Sequence, residues 1–244
     1  MNDSLLISSQ GRLRRLTLNR PDKRNALDAS LCRCLVEALR EAASDRGVGA
    51  ILLDANGKDF CSGMDLQEAI ETDPDEMLSL HQELFLIGER LRKPMVSAVQ
   101  GAALAGGMGL ALNAHIVVAS ADARFGLTEV RVGLWPYVIF PVVAAAVGYR
   151  KATELALTAR IVEVDEARRI GIVDFVAERG GAESIALELA EGSATAIEQG
   201  LTFVQQGLEL AGKFRREAHS SADFREGVQA FRGKRKPRWP SHAG

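Results

Sequence analysis

The sequence predicts an α/β protein with parallel strand pairing. Three observations carry this prediction: short apolar strands recur along the chain, helical segments separate them, and glycine-bearing loops follow two of the strands. The composition is that of a globular protein, with 244 residues, 47% hydrophobic and 25% charged, and a net charge of −2. This balance excludes a disordered chain and argues against a general nucleic-acid-binding domain.

The first third of the chain predicts strand, helix and strand in that order. Arg12 to Asn19 mostly alternates polar and apolar residues, which favours a strand, and the following Arg20-Pro21-Asp22 favours a turn. Asp28 can cap a helix whose apolar residues share one face. Those apolar residues are Leu31, Leu35, Leu39 and Ala42. Ala50 to Leu53 is a short buried strand, and the polar loop from Gly57 to Asp65 leads into a helical region that ends near Arg92.

Two further buried strands are predicted at Pro94 to Val99 and at Ile116 to Ala119. After about Gly180 the pattern becomes helical as far as Phe231, and Pro237 to Pro240 predicts a loose tail. We therefore expect an α/β core over residues 1–180 and a helical C-terminal oligomerisation region over 181–244. The second region carries apolar residues that need a partner surface, namely Ile185, Leu189, Leu201, Val204, Leu208 and Leu210.

Two loops are predicted to present backbone donors at one point. Gly101 to Gly109 follows a strand, and its glycines let the backbone approach a ligand closely where a helix begins. The phosphate-loop interpretation fails because no Gly-Lys-Ser/Thr follows, and the glycines do not fit the dinucleotide pattern. Phe60 to Asp65 is a second loop of small residues after a strand. Parallel neighbouring strands would bring both loops together as an oxyanion hole, suited to a carbonyl that becomes an enolate.

The chain resembles the enoyl-CoA hydratase/isomerase (crotonase) family over nearly its whole length. The segments that carry the resemblance are Asn19–Leu27, Lys58–Leu66, Gln100–Met108, Phe125–Glu129, Val132–Leu134, Leu157–Arg160, Ala167–Val173 and Glu226–Phe231. The resemblance implies a crotonase-like spiral of ββα units followed by helices that form a trimer, or a dimer of trimers. It also implies an enzyme that binds an acyl-CoA thioester and stabilises its enolate, with a role in fatty acid metabolism.

The resemblance also implies roles for particular residues. Met64 and Gly106 would supply the two N–H donors to the thioester oxygen, and Glu129 would move the proton. The second glutamate of the hydratases is replaced by Gly109, which has no side chain. The remaining implied residues lie along the path of the coenzyme or the acyl chain. Lys23, Arg24 and Ala26 would hold the nucleotide end of CoA, Ser62, Asp65 and Leu66 would lie beside its adenine and pantetheine, and Tyr137 would line the acyl pocket.

Four functions stay open at this point. A single glutamate favours isomerisation, whereas a hydratase would need an atypical second acid, for which Tyr137 is a candidate. A non-catalytic acyl-CoA-binding protein is the alternative within the family. An assembly or nucleic-acid role would use the C-terminal run from Lys213 to Arg238, which holds nine basic and three acidic residues. A solvated helix face explains that run more simply.

The remaining expectations are absences. An odd count of three cysteines in a long chain argues against a disulfide framework, and Cys32 and Cys34 are too closely spaced for a usual zinc pair. Cys32, Cys34 and Cys61 therefore predict free thiols. No metal or separate cofactor is expected, since coenzyme A is part of the substrate. The uncharged stretches from Val132 to Tyr149 and from Pro94 to Ala121 contain prolines or glycines that favour buried core elements over membrane spans. We expect a cytoplasmic homo-oligomer that binds neither membranes nor nucleic acid.

Overall fold

Two β-sheets form the framework of the computed structural model, which describes residues 4–68, 73–178, 180–206, 217–218 and 220–242. The strands are β1 (Leu5–Gln10), β2 (Leu13–Leu18), β3 (Ala50–Ala55), β4 (Met95–Val99), β5 (Ala102–Leu104), β6 (Ile116–Ala119), β7 (Arg124–Gly126), β8 (Val162–Glu163) and β9 (Phe175–Val176). The larger sheet has the order β1-β2-β3-β4-β6-β9, and only its β1–β2 hairpin is antiparallel. The smaller sheet has the order β5-β7-β8, with β5 and β7 parallel.

Helices connect the strands and cover the sheets. They are α1 (Ala29–Ser44), α2 (Pro74–Arg90), α3 (Gly106–Leu112), α4 (Phe140–Val147), α5 (Tyr149–Thr158), α6 (Val164–Ile170), α7 (Gly181–Ala190), α8 (Ala194–Gln206) and α9 (Ala222–Arg232). The predicted cap of α1 is confirmed, because Asp28 Oδ1 accepts a hydrogen bond from Leu31 N at 2.7 Å. Short 3₁₀ turns lie at Pro21–Lys23 and Glu129–Val132.

Both faces of the central strands β3, β4 and β6 are buried. Ile51 and Leu53 on β3 point into the main core with α1, whereas Leu52 points to the opposite face. There it packs with small residues of α7, including Ala186 and Ala190. Strands buried on both faces need a continuous apolar sequence. The sequence therefore predicts these strands from apolar runs, although polar and apolar residues do not alternate in them.

The packed core extends past residue 180, beyond the boundary predicted between core and C-terminal region. Helix α7 lies against β3 and β4, and Ile185 and Leu189 pack partly buried against the same face of the sheet. Ile185 and Leu189 therefore pack against their own chain and do not need a partner surface to cover them. Val204 on α8 is 76% exposed, whereas Leu208 and Leu210 lie outside the described residues.

The C-terminal tail is not loose, so that prediction is wrong. Trp239 Nε1 donates to Glu191 O at 2.8 Å, and the Ser241 backbone N–H donates to Asp223 Oδ1 at 3.0 Å. Prolines prevent a helix here but do not prevent side-chain anchoring. In the basic run, Arg235 forms two hydrogen bonds with the Glu226 carboxylate at 2.6 and 3.0 Å. Lys213, Arg215 and Arg216 lie outside the described residues.

The two uncharged stretches form core elements. Pro94 to Ala121 contains β4, β5, α3 and β6, and Val132 to Tyr149 contains α4. No helix in the described ranges has both the length and the hydropathy needed to cross a bilayer.

Candidate active site

The two glycine-bearing loops lie side by side. Phe60 N donates to Gln100 O at 2.9 Å, Cys61 N donates to Ala102 O at 3.0 Å, and Leu104 N returns a bond to Cys61 O at 3.0 Å. These bonds hold the segment around Cys61 parallel to β5, and Cys61 and Ala103 form a parallel β-bridge. The convergence of the two loops predicted from the sequence is therefore present.

Close contact between two glycines sets the spacing of the candidate donors. Gly63 has φ +96°, and a Cβ placed there would lie 2.9 Å from Ala105 Cβ and 3.3 Å from Gly106 N. A Cβ placed on Gly106 would lie 3.7 Å from Gly63 Cα. Only glycine permits both this backbone conformation and this approach at residue 63. Gly63 immediately precedes Met64, so the Met64 and Gly106 amides belong to neighbouring backbones.

The Met64 N–H points away from the strand segment that it pairs with. Leu27 N donates to Gly63 O at 2.8 Å, and Asp65 N donates to Leu27 O at 2.9 Å. In a parallel pair the residue between two such bonds directs its own N–H to the opposite side. Among the residues described, neither Met64 N nor Gly106 N donates to a backbone acceptor. Both donors are therefore available to a ligand oxygen.

Ala105 holds the turn that presents Gly106. Its φ of 50° and ψ of −125° are strained for a residue with a Cβ. Ala105 N donates to Gly126 O at 2.7 Å, and its carbonyl accepts from Met108 N at 2.9 Å. The smaller sheet therefore fixes the conformation that local preference disfavours, and Gly126 is also only three residues before Glu129.

Glu129 is a half-buried carboxylic acid, and one of its two carboxyl oxygens has no partner in the described part of the chain. It begins the 3₁₀ turn that follows β7, and Leu134 N donates to its carbonyl at 3.1 Å. Its Oε2 is inaccessible to solvent and has no hydrogen-bond partner among the described residues. Burial raises the pKa of Glu129 from 4.5 to about 7, because the charged form loses its hydration. A carboxylate with such a pKa can both take and return a proton near neutral pH.

At Gly109, the space that a side chain would need is filled by hydrocarbon. A Cβ placed on Gly109 would lie 2.4 Å from Ile139 Cγ2 and 2.7 Å from Ile139 Cβ, and it would lie 3.4 Å from Phe85 Cδ1. Ile139 and Phe85 are 3% and 2% exposed. Sequence reasoning missed both residues as parts of the site. The signal for Ile139 was its position two residues after Tyr137, which the sequence analysis had selected for the acyl pocket.

The predicted nucleotide-end residues lie together on one loop. Lys23 is exposed at the end of the first 3₁₀ turn, and Arg24 is in the left-handed conformation with φ 51°. Arg24 Nε forms an ion pair with Asp59 Oδ2 at 2.8 Å. Ala26 is buried, and its carbonyl accepts from Arg20 Nη1. Binding of CoA by this loop stays a prediction.

The other predicted contact residues are more dispersed. Ser62 N donates to Arg24 O at 3.0 Å, which ties the two loops together. Asp65 Oδ2 lies 3.2 Å from Arg20 Nη2, so its carboxylate already has a cationic partner. Leu66 is 49% exposed and Tyr137 is 76% exposed. In the single chain the Tyr137 ring therefore faces solvent and does not line the buried surroundings of Glu129.

Two buried polar residues, which the sequence analysis did not select, brace the loop. Asn25 is fully buried, and its amide donates to Asn56 O and Asp59 O, both at 2.9 Å. Asp59 Oδ1 accepts from Ala102 N at 2.8 Å. Burial alone would raise the pKa of Asp59, but the bonds from Arg24 and Ala102 outweigh it and lower the pKa. Both residues stand inside the motifs quoted above, yet only tertiary contacts show their role.

A wide surface cleft lies apart from the candidate donors and Glu129. It has a volume of about 740 Å³ and opens near the carboxyl ends of β3, β4 and β6 on the α7 side of the sheet. Its polar side chains pair with one another, as Arg15 does with Asp54 at 3.2 Å and Glu183 at 2.9 Å. None of Met64, Gly106 or Glu129 lines it.

Comparison with known proteins adds independent evidence. A family model described as enoyl-CoA hydratase/isomerase matches residues 9–242. The 2,3-dehydroadipyl-CoA hydratase of Escherichia coli is 32% identical, covering 96% of this chain and 97% of that protein. The 1,2-epoxyphenylacetyl-CoA isomerase of the same organism is also 32% identical, covering 92% and 93%. The crystal structure of an enoyl-CoA hydratase from Mycobacterium smegmatis matches with a TM-score of 0.90 and 29% identity, covering 97% and 98%.

Proposed function

This chain belongs to the enoyl-CoA hydratase/isomerase family, and from that premise we propose that it moves the double bond of an acyl-CoA thioester with Glu129 as its single acid and base. The family acts on acyl-CoA substrates, and similar proteins include both a hydratase and an isomerase. The choice between these subtypes therefore has to come from the site itself.

One observation carries the proposal: the Glu129 Oε2 is buried and unpartnered among the described residues, with the pKa of the carboxyl raised to about 7, and no second carboxylate stands at Gly109. Syn addition of water asks for a second group to hold or protonate the water. Proton transfer between two carbons asks only for one base that can return what it takes.

The proposed reaction has two steps. The Glu129 carboxylate takes a proton from the α carbon of a 3-enoyl thioester, and the electron pair moves into the conjugated dienolate with its charge on the thioester oxygen. Met64 N–H and Gly106 N–H donate to that oxygen. The protonated Glu129 then returns the proton to the γ carbon, which leaves the 2-enoyl thioester and restores the carboxylate. A single such backbone donor is worth about 10²–10³ in rate.

The remaining predicted residues complete the proposal. Lys23, Arg24 and Ala26 hold the nucleotide end of coenzyme A, while Ser62 and Leu66 lie along its pantetheine. Asp65 supports this path through its ion pair with Arg20. No metal or separate cofactor takes part, because the thioester itself supplies the acidity of the α proton.

The test measures deuterium exchange at the α carbon, double-bond position and hydration side by side for the wild type and Glu129→Gln. Exchange and isomerisation should fall by about 10²–10⁴ in the variant, while binding of a CoA ester measured by calorimetry persists. Glu163→Gln, on the short strand β8, is the matched control and should leave both unchanged. Efficient hydration by the wild type that survives Glu129→Gln would contradict the assignment of the base. Binding without any exchange in the wild type would favour the non-catalytic alternative.

We further propose that the chain works as a trimer or a dimer of trimers. Several large apolar side chains stay exposed in the single chain, including Tyr137 at 76%, Tyr149 at 74% and Phe231 at 86%. Such side chains lose solvent contact when a second copy covers them. Light scattering at micromolar concentration should give three or six times the chain mass, and Tyr149→Glu should shift it downward. A monomer at that concentration would refute this part.

A further inference from the structure

The contact between Gly109 and Ile139 leaves no room for any side chain on residue 109. The closest distances of a Cβ at that position are 2.4 Å to Ile139 Cγ2 and 2.7 Å to Ile139 Cβ. A rotation of the isoleucine side chain could relieve the first contact. It cannot relieve the second, because the position of a Cβ is fixed by the backbone. Only glycine at residue 139 would remove both.

The backbone of Ile139 is itself held in place. Ile139 precedes α4 with φ −92° and ψ −14°, an ordinary helical conformation, and its carbonyl accepts from Val143 N at 3.1 Å. The side chain is 3% exposed and belongs to the main core. A close-packed interior of this kind transmits an added methyl group as strain rather than absorbing it.

Phe85 connects this contact to the candidate oxyanion hole. A Cβ on Gly106 would lie 3.4 Å from Phe85 Cζ, and a Cβ on Gly109 would lie 3.4 Å from Phe85 Cδ1. The two glycines are one turn apart on α3, so Phe85 and Ile139 flank the stretch that begins at the Gly106 donor. Between Gly106 and Gly109 the only side chain is that of Met108, which is apolar. Apolar side chains offer water no hydrogen-bond partner.

We propose that Ile139 is a specificity-determining residue: it fills, with hydrocarbon, the space that a second carboxylate and its water would need, and thereby suppresses hydration. This inference rests on the proposed function, since it explains why Glu129 works alone. The substrate class that fits is an acyl-CoA whose hydrocarbon chain contacts Ile139. A substrate with a hydroxyl group at that point would lose its hydrogen bonds to water.

The test is a cycle of four proteins: wild type, Gly109→Glu, Ile139→Gly and the double variant. In the double variant the introduced carboxylate would accept a proton from water as the water oxygen bonds to the β carbon, and protonated Glu129 would donate to the α carbon. Hydration should rise by about 10²-fold or more over the wild type, the scale of one general acid or base. Gly109→Glu alone should lose thermal stability and CoA-ester binding because of the clash.

A second variant keeps the proposal open to refutation if the double variant does not fold. In the Gly109→Glu background, Ile139→Ala retains the Cβ but removes Cγ2, the nearer of the two contacts, and it should raise the ratio of hydration to α-proton exchange at least tenfold over Gly109→Glu alone. Ile172→Ala in the same background, at another buried isoleucine with 1% exposure, is the control and should leave that ratio unchanged.

The outcomes separate the two proposals. Absence of α-proton exchange in the wild type would overturn the proposed function itself. Wild-type exchange together with a folded double variant that hydrates no faster than Ile139→Gly would overturn the role of Ile139 alone. A Gly109→Glu variant as stable as the wild type would do the same, as would an unchanged ratio when Ile139→Ala is added to Gly109→Glu.

Discussion

Replacing Glu129 by glutamine should make the protein more stable relative to the wild type as the pH rises. The folded carboxyl has a pKa of about 7, whereas an unhindered glutamate titrates at 4.5. A tenfold difference in acidity corresponds to about 1.4 kcal/mol. Ionising the buried carboxyl therefore costs the folded wild type about 3 kcal/mol relative to its unfolded chain.

The sign follows from the direction of the pKa. Below pH 4.5 the carboxyl is neutral in both states and costs nothing. As the pH rises toward and through 7, the unfolded chain releases its proton first, so unfolding becomes more favourable. Glutamine cannot ionise and shows no such loss. Any fixed cost of placing its amide at residue 129 is the same at every pH, so only the pH dependence of the difference matters.

The assay is urea unfolding followed by circular dichroism at pH 4.5, 6, 7.5 and 8.5, with protein concentration held constant because association also adds to stability. The difference in unfolding free energy between Glu129→Gln and the wild type should move by about 3 kcal/mol in favour of the variant over this range.

Glu154→Gln is a control whose difference from the wild type should stay nearly flat over this range. A hydrogen bond from Arg160 lowers the pKa of Glu154 to about 2, so its stabilising contribution is present above pH 4.5 and is lost only at more acidic pH. Parallel curves for Glu129→Gln and wild type would refute the reasoning, because they would mean that the folded carboxyl titrates like an exposed one.

Two further predictions concern the loop brace. Asn25→Ala should destabilise the protein by about 1–3 kcal/mol, because Asn56 O and Asp59 O lose the amide that donates to both; an unchanged urea midpoint would contradict this. The pKa of Asp59 is lowered in the folded chain, so its stabilising effect is present above the ordinary aspartate pKa of about 4 and is lost as the pH falls further. The difference in unfolding free energy between Asp59→Asn and the wild type should therefore shrink as the pH falls, as acid-unfolding curves would show.

Local patterns in the sequence were sufficient to predict the central strands and the start of the first helix. Strands β3, β4 and β6 were predicted within two residues, because strands buried on both faces are uniformly apolar. The capping role of Asp28 was also predictable, because a helix cap binds a backbone N–H only three residues further along the chain. The absence of a side chain at Gly109 is also visible in the sequence alone.

Other elements escaped prediction because they are short or lie at an edge. β5 and β7 have three residues each, and β8 and β9 have two, which is too few to show a period. β1 buries only Leu5, so its sequence carries almost no apolar pattern. These strands exist because distant segments supply their hydrogen-bond partners.

The decisive properties of the candidate site belong to the tertiary structure. The raised pKa of Glu129 comes from the loss of solvent at its carboxyl. The apolar neighbours Phe125, Leu127 and Val130 predict the direction of this change from the sequence, but the folded chain sets how much water the carboxyl loses. The contact of Gly109 with Ile139 joins residues thirty positions apart, and the brace of Asn25 by Asp59 joins two loops. The sequence by itself determined which chemical groups are present near the site. Chain folding decided which of them lose water and which meet, because desolvation and steric exclusion depend on neighbours that sequence order does not specify.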